Sequence, residues 1–113
     1  MTKPIHINSK DHFQQEIAEG VSVIDFYADW CGPCQMLSPV MEELQAENLE
    51  KGVKILKVDV DENPDLASEF WVMSIPTVFF AKDGEVKEGM IGVNEKGTYQ
   101  EKIEQYLGEW VDS

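Results

Sequence analysis

Only two cysteines occur in the 113 residues, and both fall within one four-residue stretch. That excludes the framework of bridges on which small secreted domains depend. Histidine is equally scarce, with His6 and His12 alone. A four-ligand zinc site would need both, yet they fall on an expected edge strand and the helix after it, off any common face, so no metal is expected. Basic side chains number 9 against 22 acidic ones, and the formal charge of −13 repels phosphate backbones and anionic membrane surfaces, so neither nucleic acid nor membrane is an expected partner. The acidic residues form either a solvated surface with no particular target or a docking face. No stretch reaches the roughly 18–20 apolar residues of a membrane span, and the opening MTKPIHINSK holds no apolar signal core. A cytoplasmic protein is the expectation. G-x-G-x-x-G is missing too, and the chain is too short for a nucleotide domain of its own, so no bound cofactor is expected.

What is present reads as one domain over residues 1–113, with turn signals at short spacing and no linker or repeat. PIHIN suggests a short edge strand, followed by a helix capped by Asn8 or Ser9 that carries Phe13, Ile17 and Ala18 and ends at Gly20. VSVIDFYAD is apolar on both alternating faces, which marks a central strand covered from both sides. Met36, Leu37, Val40, Met41 and Leu44 then keep helical spacing from the cysteines to about Asn48, with a kink expected at Pro39. VKILKVDVD predicts a third strand. NPDLASEF predicts a short helix with Asn63 as cap and Pro64 at its first position. PTVFFAKDGEVKEGMIG reads as a hairpin turning at residues 82–85, and residues 95–109 as a closing helix with Tyr99, Ile103, Tyr106 and Leu107. The order β α β α β α β β α implies an α/β fold: a mixed five-stranded sheet flanked by four helices on both faces. The loop after its central strand is ADWCGPC, where open α/β sheets place their chemistry.

A bracing disulfide between Cys31 and Cys34 would close a loop of about four residues and contribute only about 2 kcal/mol, the least such a bond offers. A dithiol switch fits better. The reactive species of a cysteine is the thiolate, and a helix beginning at Cys31 presents unpaired N–H groups and a positive dipole end that stabilise an anion. Gly32 permits the tight entry, and Pro33 costs nothing in a first turn whose N–H groups lack partners. Cys34, one turn further in, is placed to attack a mixed disulfide on Cys31.

WCGPC after DFYAD, SIPT at 74–77 and the KDGE hairpin together resemble the thioredoxin family over residues 5–108. The resemblance implies a thioredoxin fold and a general protein-disulfide reductant acting as an electron carrier. Cys31 would be the nucleophile, Cys34 the resolving thiol and the Cys31–Cys34 disulfide the redox-active centre. It further implies a monomer that takes electrons from NADPH through a flavin-dependent thioredoxin reductase and passes them to disulfide-containing proteins. A thioredoxin-fold binding module with incidental thiols is the alternative.

Asp25 either reaches solvent or, as a central strand argues, is buried with a raised pKa. The resemblance sets it beneath Cys34 as proton acceptor. Lys57 is either a solvent-facing edge lysine or, by resemblance, a moderator of Asp25. Ile75–Pro76 at a strand entry reads as trans from its residues, whereas the resemblance implies a cis bond against the cysteines, with the Ile75 main chain free to pair with substrate. Trp30, Gly92 and Val93 would complete a shallow apolar substrate groove, although Trp30 also reads as core filling. Tyr27 is expected to pack structurally, and Trp71 with Met73 to cover one sheet face. Gln35 stands where many members of the family carry lysine, and the acidic charge is unusual for it; both weaken the positive field at Cys31.

Overall fold

All strands among the described residues join one sheet, in the order β1-β3-β2-β4-β5. The computed structural model describes residues 3–108. The strands are β1 (Ile5–His6), β2 (Val21–Tyr27), β3 (Lys54–Asp59), β4 (Thr77–Lys82) and β5 (Glu85–Ile91), and the helices α1 (Lys10–Ile17), α2 (Gly32–Asn48), α3 (Pro64–Glu69) and α4 (Lys96–Leu107). The ends of the expected domain, residues 1–2 and 109–113, lie outside the described residues, as does position 109 of the expected closing helix.

β2 occupies the centre, as its two-sided apolar pattern requires. Val21 and Val23 pack with Leu37, Met41 and Leu44 of α2 and with Tyr99, Ile103 and Tyr106 of α4. On the other face Ile24 and Phe26 pack with Phe13 and Ile17 of α1 and Leu66 of α3. The helices therefore divide two and two about the sheet, and each face has its own core.

Local chemistry departs from the expected pattern at a few positions. Ser9, not Asn8, caps α1, its side chain accepting the His12 N–H at 3.0 Å. Ala18 caps the far end and is exposed. Met36 leaves the apolar stripe of α2 for solvent, because Cys34, Leu37, Met41 and Leu44 already fill the face turned to the sheet. Asn63 stands at the cap position of α3 without capping it; its amide instead donates to the carbonyls of Ile7 and Asp59. Trp71 and Met73 are exposed at 82% and 88% and cover no sheet face. Phe70 and Val72 take that role against the α1/α3 core, while Trp71 sits in the left-handed region at φ 55°.

Register assembles the site. Parallel pairing of Tyr27 with Asp59 brings the exit of β3 to the exit of β2. Antiparallel pairing of Phe26 with Thr77, and of Thr77 with Ile91, brings the entry of β4 and the exit of β5 to the same end. The segments around residues 28–34, 60–61, 74–76 and 92–94, scattered in sequence, thus converge on one edge of the sheet.

Candidate active site

Cys31 is the N-cap residue of α2, in extended conformation, and its Sγ accepts the N–H of Cys34 at 3.2 Å. Gly32 and Pro33 form the exposed first turn. The two sulfurs are bonded, with Cα atoms 5.2 Å apart, inside the range a disulfide spans. A helix N-terminus thus points its orphan donors at a sulfur, the arrangement that holds a thiolate once the bond is reduced. Both cysteines are nearly buried, and Cys31 packs with Val60 and Ile75.

The rim around the cysteines is apolar. The indole of Trp30 is 70% exposed, which excludes core filling, and its Nε1–H donates to Asp61 Oδ2 at 2.8 Å. The Ile75–Pro76 peptide is cis, and the Ile75 carbonyl oxygen lies 3.8 Å from Cys31 Sγ. Gly92, at φ 87°, donates its N–H to the Pro76 carbonyl at 2.8 Å, and exposed Val93 follows it. Buried Tyr99 anchors this loop: its hydroxyl accepts the Asn94 N–H at 3.0 Å and donates to the Gly92 carbonyl at 3.3 Å. Sequence places Tyr99 only on a helix face, and nothing in its spacing signals a bond to the loop before the helix. Asp61 as holder of Trp30 is equally hidden, since the contact joins the loops that follow two different strands.

Asp25 of β2 is fully buried, and strand alternation sets it on the sheet face of Val21 and Val23. Its register partner across the parallel pair is Lys57, whose Nζ donates to Asp25 Oδ2 at 2.9 Å. Lys57 is no edge residue, because β3 lies between β1 and β2 and the side chain is nearly buried. Its ammonium also sits over the Tyr27 ring, 4.3 Å from the centroid. Asp25 Oδ1 has no hydrogen-bond partner among the described residues. Burial pushes the Asp25 carboxyl up from the ordinary carboxylate range, and the Lys57 charge and hydrogen bond oppose that rise without cancelling it. Burial, with Asp59 and Asp29 nearby, pushes the Tyr27 hydroxyl to about 12. A cleft of about 400 Å³ is lined by Cys34, Tyr27, Lys57, His6 and Ser38, so the inner cysteine and the lysine bonded to Asp25 share one cavity wall. Among the described residues no group of three or more His, Cys, Asp or Glu side chains is placed to hold a metal.

The thioredoxin family model matches residues 4–105. The chain is 52% identical over 95 residues to thioredoxin of Listeria monocytogenes, covering 84% of this chain and 91% of that one. It is 50% identical over 95 residues to thioredoxin of Bacillus subtilis, covering 84% and 90%. The chain belongs to the thioredoxin family. A solved structure of a mutant thioredoxin from Halobacterium salinarum superposes with a TM-score of 0.89 at 37% identity, covering 98% of this chain and 96% of that one. Family membership and the disulfide at the head of α2 make the chain a thiol–disulfide reductant of the protein-disulfide oxidoreductase class.

Within the thioredoxin pattern Gln35 is a departure, and its side chain spends its amide on the Asp29 carbonyl at 3.0 Å. It adds no charge to the mouth of α2. Gln35→Lys is expected to favour the Cys31 thiolate through a solvent-screened attraction, raising iodoacetamide alkylation below the thiol's midpoint about twofold. Superimposable alkylation profiles of the two proteins would refute this.

Proposed function

We propose that the whole chain acts as one domain in which Cys31 is the nucleophile, Cys34 the resolving thiol, Asp25 the proton acceptor and Lys57 its modulator. The observation that carries this reading is the N-cap position of Cys31, with the Cys34 N–H aimed at its sulfur at 3.2 Å. The Cys31 thiolate attacks one sulfur of a substrate disulfide, forming a mixed disulfide and expelling the first substrate thiolate. Asp25 takes the Cys34 proton, and the Cys34 thiolate then displaces the second substrate thiolate from Cys31. The substrate gains two electrons and, from Asp25 and solvent, two protons; the protein is left with the Cys31–Cys34 bond.

Trp30, Ile75, Pro76, Gly92 and Val93 form the surface on which the substrate lies. Main-chain pairing at Ile75 and apolar contact at Trp30 hold a segment without demanding one sequence, which suits a general reductant. Gly32 and Pro33 keep the loop between the thiols short and stiff. A thioredoxin reductase drawing on NADPH restores the dithiol, and the protein works as a cytoplasmic monomer in electron transport. The test is reduction of insulin by this protein with NADPH and thioredoxin reductase. Turnover coupled to NADPH oxidation is expected; a protein that stays reduced in the presence of excess insulin would overturn the reading.

A further inference from the structure

Trp71 is accounted for by neither backbone nor packing. Its φ of 55° lies in the left-handed region, which costs a bulky residue about 1–2 kcal/mol and which glycine adopts freely. Its side chain is 82% exposed and so recovers nothing in the core. Beside it Met73 and Ile91 are exposed at 88% and 73%. Three large apolar side chains standing together in water mark a contact surface.

The three surround a groove of about 240 Å³ whose floor is the Phe79 ring. Gly89 keeps that floor in place, since a Cβ there would meet Phe79 Cε1 at 2.6 Å. The groove adjoins a second one, of about 390 Å³, lined by Trp30, Ile75 and Val60; Val72 and Met73 line both. The second groove borders Cys31, whose Sγ lies 3.8 Å from the Ile75 carbonyl. A polypeptide whose cystine reaches Cys31 therefore meets first the groove at Ile75 and then, past the shared walls Val72 and Met73, the one at Trp71.

We infer that the groove between Trp71, Met73 and Ile91 receives a bulky apolar side chain of the disulfide substrate, about four residues from the reacting cystine. This rests on the dithiol reading and adds to it a preference among substrate sequences. The spacing is bounded by reach: Trp71 and Ile75 are four residues apart in the chain and so at most about 13 Å apart, a distance that an extended substrate segment covers in no more than four residues. Met73 gives the wall a flexible, polarisable surface that moulds to aromatic and aliphatic groups alike.

The test uses the reduced protein and synthetic decapeptides joined into disulfide dimers through a single cysteine. One peptide carries Trp four residues from the cysteine and the other Ser, each made with that residue on the amino and on the carboxyl side. The second-order rate constant for reduction is expected to be about tenfold higher for Trp than for Ser in one of the two placements. Trp71→Gly, which relieves the backbone and so folds, and independently Met73→Ser, are expected to bring that ratio close to one. A ratio near one in the wild type for both placements, or a ratio unchanged in both variants, would overturn the assignment. So would a wild-type dimer that becomes monomeric in Trp71→Gly with the peptide ratio unmoved, because the groove would then hold a second copy. Reduction of the Ser peptide shows that the dithiol works; failure to reduce any peptide would sink the dithiol reading and the groove with it.

Discussion

Replacing Cys31 by serine is expected to lower disulfide-reducing turnover by about a thousandfold or more, whereas Cys34→Ser should stall with substrate covalently attached. The two cysteines differ by position on α2. Cys31 stands at the cap, where its sulfur receives a main-chain N–H at 3.2 Å and packs beside Val60 and Ile75 of the apolar rim. Cys34 lies inside the first turn and lines the cleft that Lys57, the partner of Asp25, also lines. A serine at 31 supplies no thiolate, and the thiol at 34, inside the first turn, lacks the cap position that favours the anion. A serine at 34 leaves the first attack intact but removes the displacement that releases the product. The four-residue loop contributes only about 2 kcal/mol when closed, so both variants remain folded and the losses are chemical. Non-reducing electrophoresis after mixing with insulin reads the outcome: Cys34→Ser should run as a mixed disulfide, and Cys31→Ser should not. Free turnover by Cys34→Ser would show that a second thiol is dispensable.

Asp25→Asn is expected to raise the melting temperature at neutral pH by several degrees, and to slow release of mixed disulfides about a hundredfold. The carboxyl is fully buried, its Oδ1 has no hydrogen-bond partner among the described residues, and burial outweighs Lys57 in raising its pKa. At a pH below the ordinary carboxylate range, folded and unfolded chains both carry the proton, and the site costs nothing. As pH rises the unfolded chain ionises first, so stability falls until the folded carboxyl ionises too, then stays low. The asparagine protein lacks that fall and is the more stable of the two on the alkaline side. Lys57 loses its carboxylate, which offsets part of the gain, but keeps its seat over the Tyr27 ring. Melting curves from pH 4 to 9 check the sign. Parallel curves together with unchanged turnover would make Asp25 a bystander.

Much of this is legible in the sequence because periodicity carries it. A short β-branched and aromatic run that is apolar on both alternating faces reads as a strand covered on both sides, and β2 is central in the sheet. Two cysteines on the first turn of a helix name the chemistry. Contacts set by tertiary register are not legible. Lys57 reads equally well as an exposed or a buried lysine until β3 pairs in parallel with β2 and sets it opposite Asp25. Trp71 and Met73 read as sheet cover because a left-handed residue in the chain reverses which side chains face inward, and tryptophan does not announce that conformation as glycine would. The same holds for Tyr99 and Asp61, whose roles depend on loops brought together by strand pairing.

Alkylation of the reduced protein by iodoacetamide across pH, with each cysteine quantified by mass spectrometry, tests the whole account most directly. Cys31 is expected to react as a thiolate well below the range near 8.5 where free cysteine titrates, with Cys34 reacting far more slowly at the same pH. A Cys31 profile coinciding with that of free cysteine would contradict it.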